Sequence, residues 1–225
     1  MAFDIKAFQQ AISISPAVAR VFERDKMTSI FNAEEKANIY NLKKAVKKAK
    51  EDNGIGTYSN SNSNMVIAGG FFSTAMDTGQ YNDLDVFILN GNDGLFQNCI
   101  QTTTYKWKVN SNEGYGSGRN PYFHNPHILK TAKNDRNKVQ FILTDYKTRE
   151  ELVASFDFVH CTISYDIIKD VLYITRRAYD ANKNKHLINN GLNAPAENWR
   201  VQKFLDRGWK YPEKKVDSFA YSQAY

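Results

Sequence analysis

An α/β (α+β) layer structure is predicted for this chain by three features of its sequence. Two short apolar runs, 65–68 and 84–89, flank a stretch of helical potential that starts just after Gly69-Gly70. Strand, tight turn, helix and strand within about 25 residues suit a sheet covered by helices better than a barrel or a bundle. Further strand-sized apolar runs follow at 139–143, 156–165 and 171–175. No run approaches the roughly 20 apolar residues of a membrane-spanning helix. The expectation is a mixed sheet flanked by helices, with basic helical elements at both ends of the chain.

The 225 residues, 42% hydrophobic and 24% charged, are enough for one domain with a real core and exclude disorder throughout. Charge is unevenly placed. Residues 1–50 carry +5, the central 125 carry −4 and residues 176–225 carry +5, within a net +6. Basic flanks around an acidic centre suit attraction of phosphates at the rim and of cations in the middle, as well as a plainly solvated surface. The two cysteines, Cys99 and Cys161, form no CxxC, so neither a disulfide framework nor a cysteine zinc site is indicated, and both read as buried small hydrophobes. The start of the chain lacks the basic-then-apolar order of a secretory signal, and the expectation is a cytosolic protein with no membrane contact.

In order along the chain, Asn32 caps a helix over 34–50 with Glu35 as capping-box partner, and Ala37, Tyr40, Leu42, Ala45 and Ala49 form its apolar stripe. The lysine-rich remainder makes it a peripheral basic helix. Residues 53–64 read as a mobile polar loop. The strand 65–68, the helix 71–76, a turn at Thr78-Gly79 and the strand 84–89 come next. Residues 110–120 form a second loop, with Gly114 to Arg119 either a lid over a nucleotide or simply disordered. Val139 to Leu143 reads as a strand, Thr148 to Ala154 as a helix and Phe156 to Tyr165 as a strand. Val171 to Thr175 pairs back across 167–170. A last helix runs from about Pro195 to Gly208, its Arg200, Lys203 and Arg207 forming a basic stripe. The organisation expected is 1–52 as a helical segment packed on the core, 53–180 as the core, and 181–225 as a C-terminal helical element.

The chemistry concentrates in Gly69-Gly70 and Asp83-Leu84-Asp85-Val86. Carboxylates one residue apart on a strand share a face at a separation of about 7 Å, so both can reach one or two hard divalent cations. Leu84 and Val86 then face the core. A glycine pair lets backbone approach a phosphate, and the helix that follows aims unsatisfied N–H groups at it.

The segments Val66-Ile67-Ala68-Gly69-Gly70-Phe71-Phe72-Ser73 and Tyr81-Asn82-Asp83-Leu84-Asp85-Val86-Phe87-Ile88 together resemble the signature of the DNA polymerase β-like nucleotidyltransferase superfamily. The resemblance covers some 25 residues. It implies a mixed sheet of the nucleotidyltransferase type and transfer of a nucleoside monophosphate from an NTP substrate to an acceptor hydroxyl with release of pyrophosphate. It implies Mg²⁺ or Mn²⁺ on Asp83, Asp85 and a third carboxylate, with Gly69, Gly70 and Ser73 on the triphosphate. Asp157, expected to open the strand 156–165, is chosen for the third carboxylate, with Asp145 and Asp166 as alternatives. The stretch Arg200 to Trp209 is similar to a C-terminal element of virus-encoded members. An RNA 3′ end is the favoured acceptor, a protein or small-molecule hydroxyl remaining open, and a non-catalytic nucleic-acid- or partner-binding protein is the competing reading. A hydrolase using the same cations is a third.

Other motifs carry less. His124, His127 and His160 lack the companions of a zinc site, the glycine-rich 114–119 lacks the Gly-Lys-Ser/Thr of a P-loop, and no Gly-x-Ser-x-Gly occurs. Arg176-Arg177 on a strand would point to opposite faces, so at most one meets a phosphate.

Overall fold

The computed structural model describes residues 18–21, 31–55, 64–101, 106–111, 125–134, 136, 138–190 and 198–212. The loop 114–119, His124, Pro195 and most of the loop 53–64 lie outside the described residues. The strands are β1 (Val18–Val21), β2 (Met65–Ala68), β3 (Leu84–Ile88), β4 (Lys108–Ser111), β5 (Ile128–Asn134), β6 (Val139–Thr144), β7 (Ser164–Asp166) and β8 (Val171–Thr175). The helices are α1 (Ala33–Asp52), α2 (Gly70–Thr78), α3 (Asp93–Gln101), α4 (Arg149–Ala154), α5 (Arg176–Lys183) and α6 (Asn198–Leu205), with a 3₁₀ turn at Val159–Thr162.

All eight strands form one sheet in the order β1-β8-β7-β2-β3-β6-β5-β4, antiparallel except for the parallel pair β3 and β6. This is the mixed, helix-flanked α+β arrangement expected. Its two faces are unequal. Met65, Ile67, Leu84, Val86, Phe141 and Leu172 belong to the larger core, shared with α1, α2, α3 and α5. The alternate residues Val66, Ala68, Phe87 and Ile142 pack under Leu152 of α4 in a smaller cluster. Period-two alternation thus gives each strand two apolar faces, and the second is covered over only part of its length.

The capping box of α1 forms as expected: the Asn32 side chain accepts from the Glu35 N–H and the Glu35 carboxylate accepts from the Asn32 N–H, both at 2.9 Å. Its apolar stripe is corrected. The buried residues are Glu35, Ile39, Leu42, Lys43, Val46 and Ala49, whereas Ala37, Tyr40 and Ala45 are only half-buried. Ile39, Leu42, Val46 and Ala49 step by three, four and three, so they alone line one helix face. The helix is part of the main core, not peripheral. The segment 1–52 is also not wholly helical, because β1 pairs with β8.

Arg176 likewise departs from the strand reading. It opens α5 behind the Thr175 cap, whose hydroxyl accepts from the Ala178 N–H at 3.0 Å. Its guanidinium meets Glu35 at 2.8 Å and Asp180 at 2.9 Å, tying α1 to α5. Glu35 is 4% exposed, and the Asn32 N–H with Arg176 holds its pKa below the usual carboxylate range despite burial. Arg176→Ala leaves that carboxylate buried without its counter-charge. We expect a loss of about 2 kcal/mol in denaturant unfolding, part of which is restored when Glu35→Gln is added.

The apolar run 156–165 is not one strand. Phe158 bridges Asn189, Val159–Thr162 turns as 3₁₀ with the Thr162 hydroxyl on Val159 O at 2.7 Å, and only Ser164–Asp166 joins the sheet. Val159, His160 and Cys161 are all buried in succession, which an alternating strand with one wet face does not allow. Around this turn Phe158, Cys161, Leu187, Phe204 and Trp209 form the cluster on which α6 docks. The His160 ring is fully buried, stacks on Phe158 and lies 4.0 Å from the Trp209 ring, and burial holds its pKa down to about 3. Among the described residues, no helix is long and apolar enough to cross a membrane.

Candidate active site

The end of β2 and the start of β3 bring the two glycines and the two aspartates together. Ala68, the last residue of β2, is the register partner of Asp85. Gly69 then turns the chain with φ +86°, ψ −145°, a backbone conformation that side chains with a Cβ rarely adopt, and caps α2. A methyl built on Gly69 would lie 3.2 Å from Asp85 Oδ2, so the turn's backbone sits directly against that carboxylate. Gly70 has open space at the equivalent point. Ser73, on the first turns of α2, is buried, and its hydroxyl has no hydrogen-bond partner among the described residues.

Asp83 and Asp85 share the less covered face of the sheet, while Leu84 and Val86 are fully buried on the other, as the spacing predicts. Asp83 is exposed and its Oδ1 stands 4.0 Å from Lys133 Nζ. Asp85 is half-buried, and its pKa is raised to about 7, first by desolvation and second by the charge of Asp83. Lys203 and Arg200 of α6 and Lys133 of β5 pull it the other way. In the folded state Asp85 therefore keeps a proton that the unfolded chain gives up near pH 4. Its contribution to stability falls as the pH rises from about 4 to about 7 and is flat above. Asp85→Asn removes this penalty, so thermal unfolding followed from pH 4 to 8 shows the variant gaining on the parent through that range, with no further gain above pH 8.

Asp157 is elsewhere occupied. It lies just before the 3₁₀ turn, not at the head of a strand, and the strand parallel to β3 is β6. Its two carboxylate oxygens are gripped by the Arg200 guanidinium fork, through Nε and through Nη2 at 3.0 Å. The expected alternatives are engaged at turns: Asp145 Oδ1 lies 2.8 Å from His127 Nδ1, and Asp166 Oδ1 accepts from the Ile168 and Lys169 N–H groups at 3.0 and 2.9 Å. Among the described residues no three His, Cys, Asp or Glu side chains stand close enough to hold one ion. The register partner of Asp85 on β6 is Gln140, a neutral side chain in the row that continues to Lys133 and Lys108. Sequence reasoning missed Gln140 and Lys133, since no local pattern says which strand lies beside β3.

Two carboxylates on one face, with glycine backbone against one of them, fit a single hard cation that completes its shell with water or phosphate oxygens. Among the described residues no third carboxylate joins them in one cluster. The thiols of Cys99 and Cys161 are buried and each is pushed up to about 12 by desolvation, so they supply no nucleophile.

Fold and site together define a mixed-sheet α+β chain that carries a paired-carboxylate, glycine-turn site on the open part of one face. The chain belongs to the Gabija anti-defense 2 (Gad2) family, whose profile matches residues 26–185. That span includes every residue expected at the site and ends before α6. No curated protein matches the chain. Solved structures similar to it include the Thermotoga maritima CCA-adding enzyme complexed with tRNA, at 14% identity and TM-score 0.49 over 83% of this chain and 41% of that one. A CCA-adding enzyme with ATP is similar at 11% identity and TM-score 0.48, over 79% and 40%. The chain thus spans about two fifths of these enzymes' length.

Proposed function

We propose that this chain is a metal-dependent nucleotidyltransferase that moves a nucleoside monophosphate from an NTP to an acceptor hydroxyl, releasing pyrophosphate. The observation that carries this reading is the seating of Asp85 against the Gly69 turn, with Asp83 on the same face. That arrangement lets a polyphosphate approach through backbone while carboxylates face it. Asp83 and Asp85 would hold a divalent cation, which when bound neutralises phosphate charge. The N–H groups at the start of α2 bind phosphate oxygens, and Lys133, Lys203 and Arg200 supply positive charge around the pair. The protein's work is to position, in line, an acceptor oxygen and the α-phosphate. The basic flanks favour an RNA 3′ end as acceptor, with a protein hydroxyl next. The family's description, Gabija anti-defense 2, supports seeking the acceptor first in an RNA or a protein of that defence.

The test supplies each α-labelled NTP with Mg²⁺ or Mn²⁺ to the purified chain, together with total RNA or with cell lysate. Label on RNA or on a protein band names the acceptor class. If no label moves and no nucleotide binds with either metal, the reading fails. One observation favours the alternative, a non-catalytic binder of nucleic acid: Asp157 is committed to Arg200, and among the described residues no three-carboxylate cluster forms. Such a binder holds RNA with an affinity that depends on salt and is indifferent to Asp83→Ala.

A further inference from the structure

The segment 198–212 concentrates aromatic surface and positive charge. Among the described residues the exposed large apolar side chains are Val109, Trp199 and Tyr211, and two of these three fall within it. It carries the cations Arg200, Lys203, Arg207 and Lys210 against one acid, Asp206. Helix α6 sorts these groups by face. Phe204 is buried, with Val201 and Leu205 packed beside it, in the cluster that docks the helix. Trp199, 46% exposed, and Lys203, also exposed, are four residues apart and share an outward face. Arg207 follows four residues further on, in the turn that closes the helix, and lies within electrostatic reach of Lys203. Asp206 is engaged by Gln202 Nε2 at 2.7 Å, a pair whose own four-residue spacing sets it on a separate stripe. Asp157 already answers Arg200, which therefore adds no net charge, and the Arg200 guanidinium lies 5.6 Å from the centre of the Trp199 ring and holds the indole beside the fork.

Among the described residues neither Lys203 nor Arg207 makes an ion pair, and Lys203 stands within electrostatic reach of Asp83 and Asp85. An exposed indole and cations strung from it to the edge of the site fit unpaired nucleic acid: bases of any sequence stack on the ring, and phosphates meet the cations. A duplex keeps its base faces stacked on one another, so the indole favours a single strand. We propose that the Trp199–Lys203–Arg207 face of α6 seats an unpaired RNA strand, with one base stacked on Trp199, phosphates on Lys203 and Arg207, and the 3′ end directed at Asp83 and Asp85. The inference rests on the nucleotidyltransferase reading with an RNA acceptor, and deepens it by assigning the surface that holds this acceptor. The family profile ends at residue 185, so the seat lies outside the span it matches.

The experiment titrates the full chain into a fluorescein-labelled, unstructured RNA of about 12 nucleotides and follows anisotropy over a series of KCl concentrations, beside the same RNA annealed to its complement. Trp199→Leu is expected to weaken the single strand by about fivefold or more, whereas Trp199→Phe, which keeps a ring, retains most of the affinity. Arg207→Gln lowers the slope of log affinity against log salt by about 0.7, the share of one phosphate contact on a single strand. Both positions are exposed, and circular dichroism melts verify that the variants fold. No RNA binding at any salt, an affinity that Trp199→Leu and Arg207→Gln leave unmoved, or a duplex held as tightly as the single strand overturns the inference. The two failures separate: loss of nucleotide binding and of label transfer to every acceptor sinks the transferase reading, whereas the RNA titration alone decides the seat on α6.

Discussion

Asp83→Ala and Asp85→Ala each reduce label transfer by about a thousandfold or more, and the double variant is no worse than the poorer single one. The two carboxylates share one face and, in the proposed site, would hold one ion between them, so removing either dismantles the same unit and the losses do not add. Folding survives, because neither side chain is part of an apolar cluster and Asp85 is an electrostatic burden on the folded state rather than a support. Single-turnover assays with saturating NTP, run beside melting curves at pH 7.5, separate the loss of chemistry from any loss of structure. Activity that persists in both variants removes the carboxylates from the reaction altogether.

The adjacent glycines respond oppositely to the same added methyl. Gly69→Ala forces a Cβ onto a backbone with φ +86° and places it 3.2 Å from Asp85 Oδ2, so both the turn and the carboxylate must shift. A stability loss of about 2–3 kcal/mol and a large fall in transfer are expected. Gly70→Ala meets nothing within 4 Å and adds a better helix former, so it folds as well as the parent. If Gly70→Ala still lowers nucleotide affinity, backbone approach by phosphate at α2 is the cause; urea melts and nucleotide titrations on the two variants read this out. The sequence treats Gly69-Gly70 as one motif, and the structure divides the work between them.

That division marks where local reading stops. The elements around the site were legible because their signals are short-range: Asn32 and Glu35 three apart, the apolar runs of β2 and β3, Asp83 and Asp85 on alternate residues, and the β7–β8 hairpin across residues 167–170. Helix α3 also carried a local signal that went unread, with Asn92 accepting from the Leu95 N–H at 3.0 Å and Leu95, Phe96 and Cys99 on one face. What surrounds Asp85 depended on long-range pairing instead. Nothing within ten residues of Gln140 places it beside position 85, and nothing near Asp157 says that Arg200 will take it. Of Arg176 and Arg177, at most one of which could meet a phosphate, Arg176 is seen to be engaged only through its partner 141 residues away, Glu35.

The aromatic seat of α6 has one more consequence. His160 lies between Phe158 and Trp209 with its proton excluded down to about pH 3, so the aromatic part of that helix's mooring carries no charge at any pH a cell reaches, and the Arg200–Asp157 pair is its charged part. Asp85 gains and loses its proton near neutrality. Acidity can thus retune the field at the carboxylates while the platform that presents Arg200 and Lys203 stays put, and a pH-dependent change in ligand affinity reports charge, not movement of the helix.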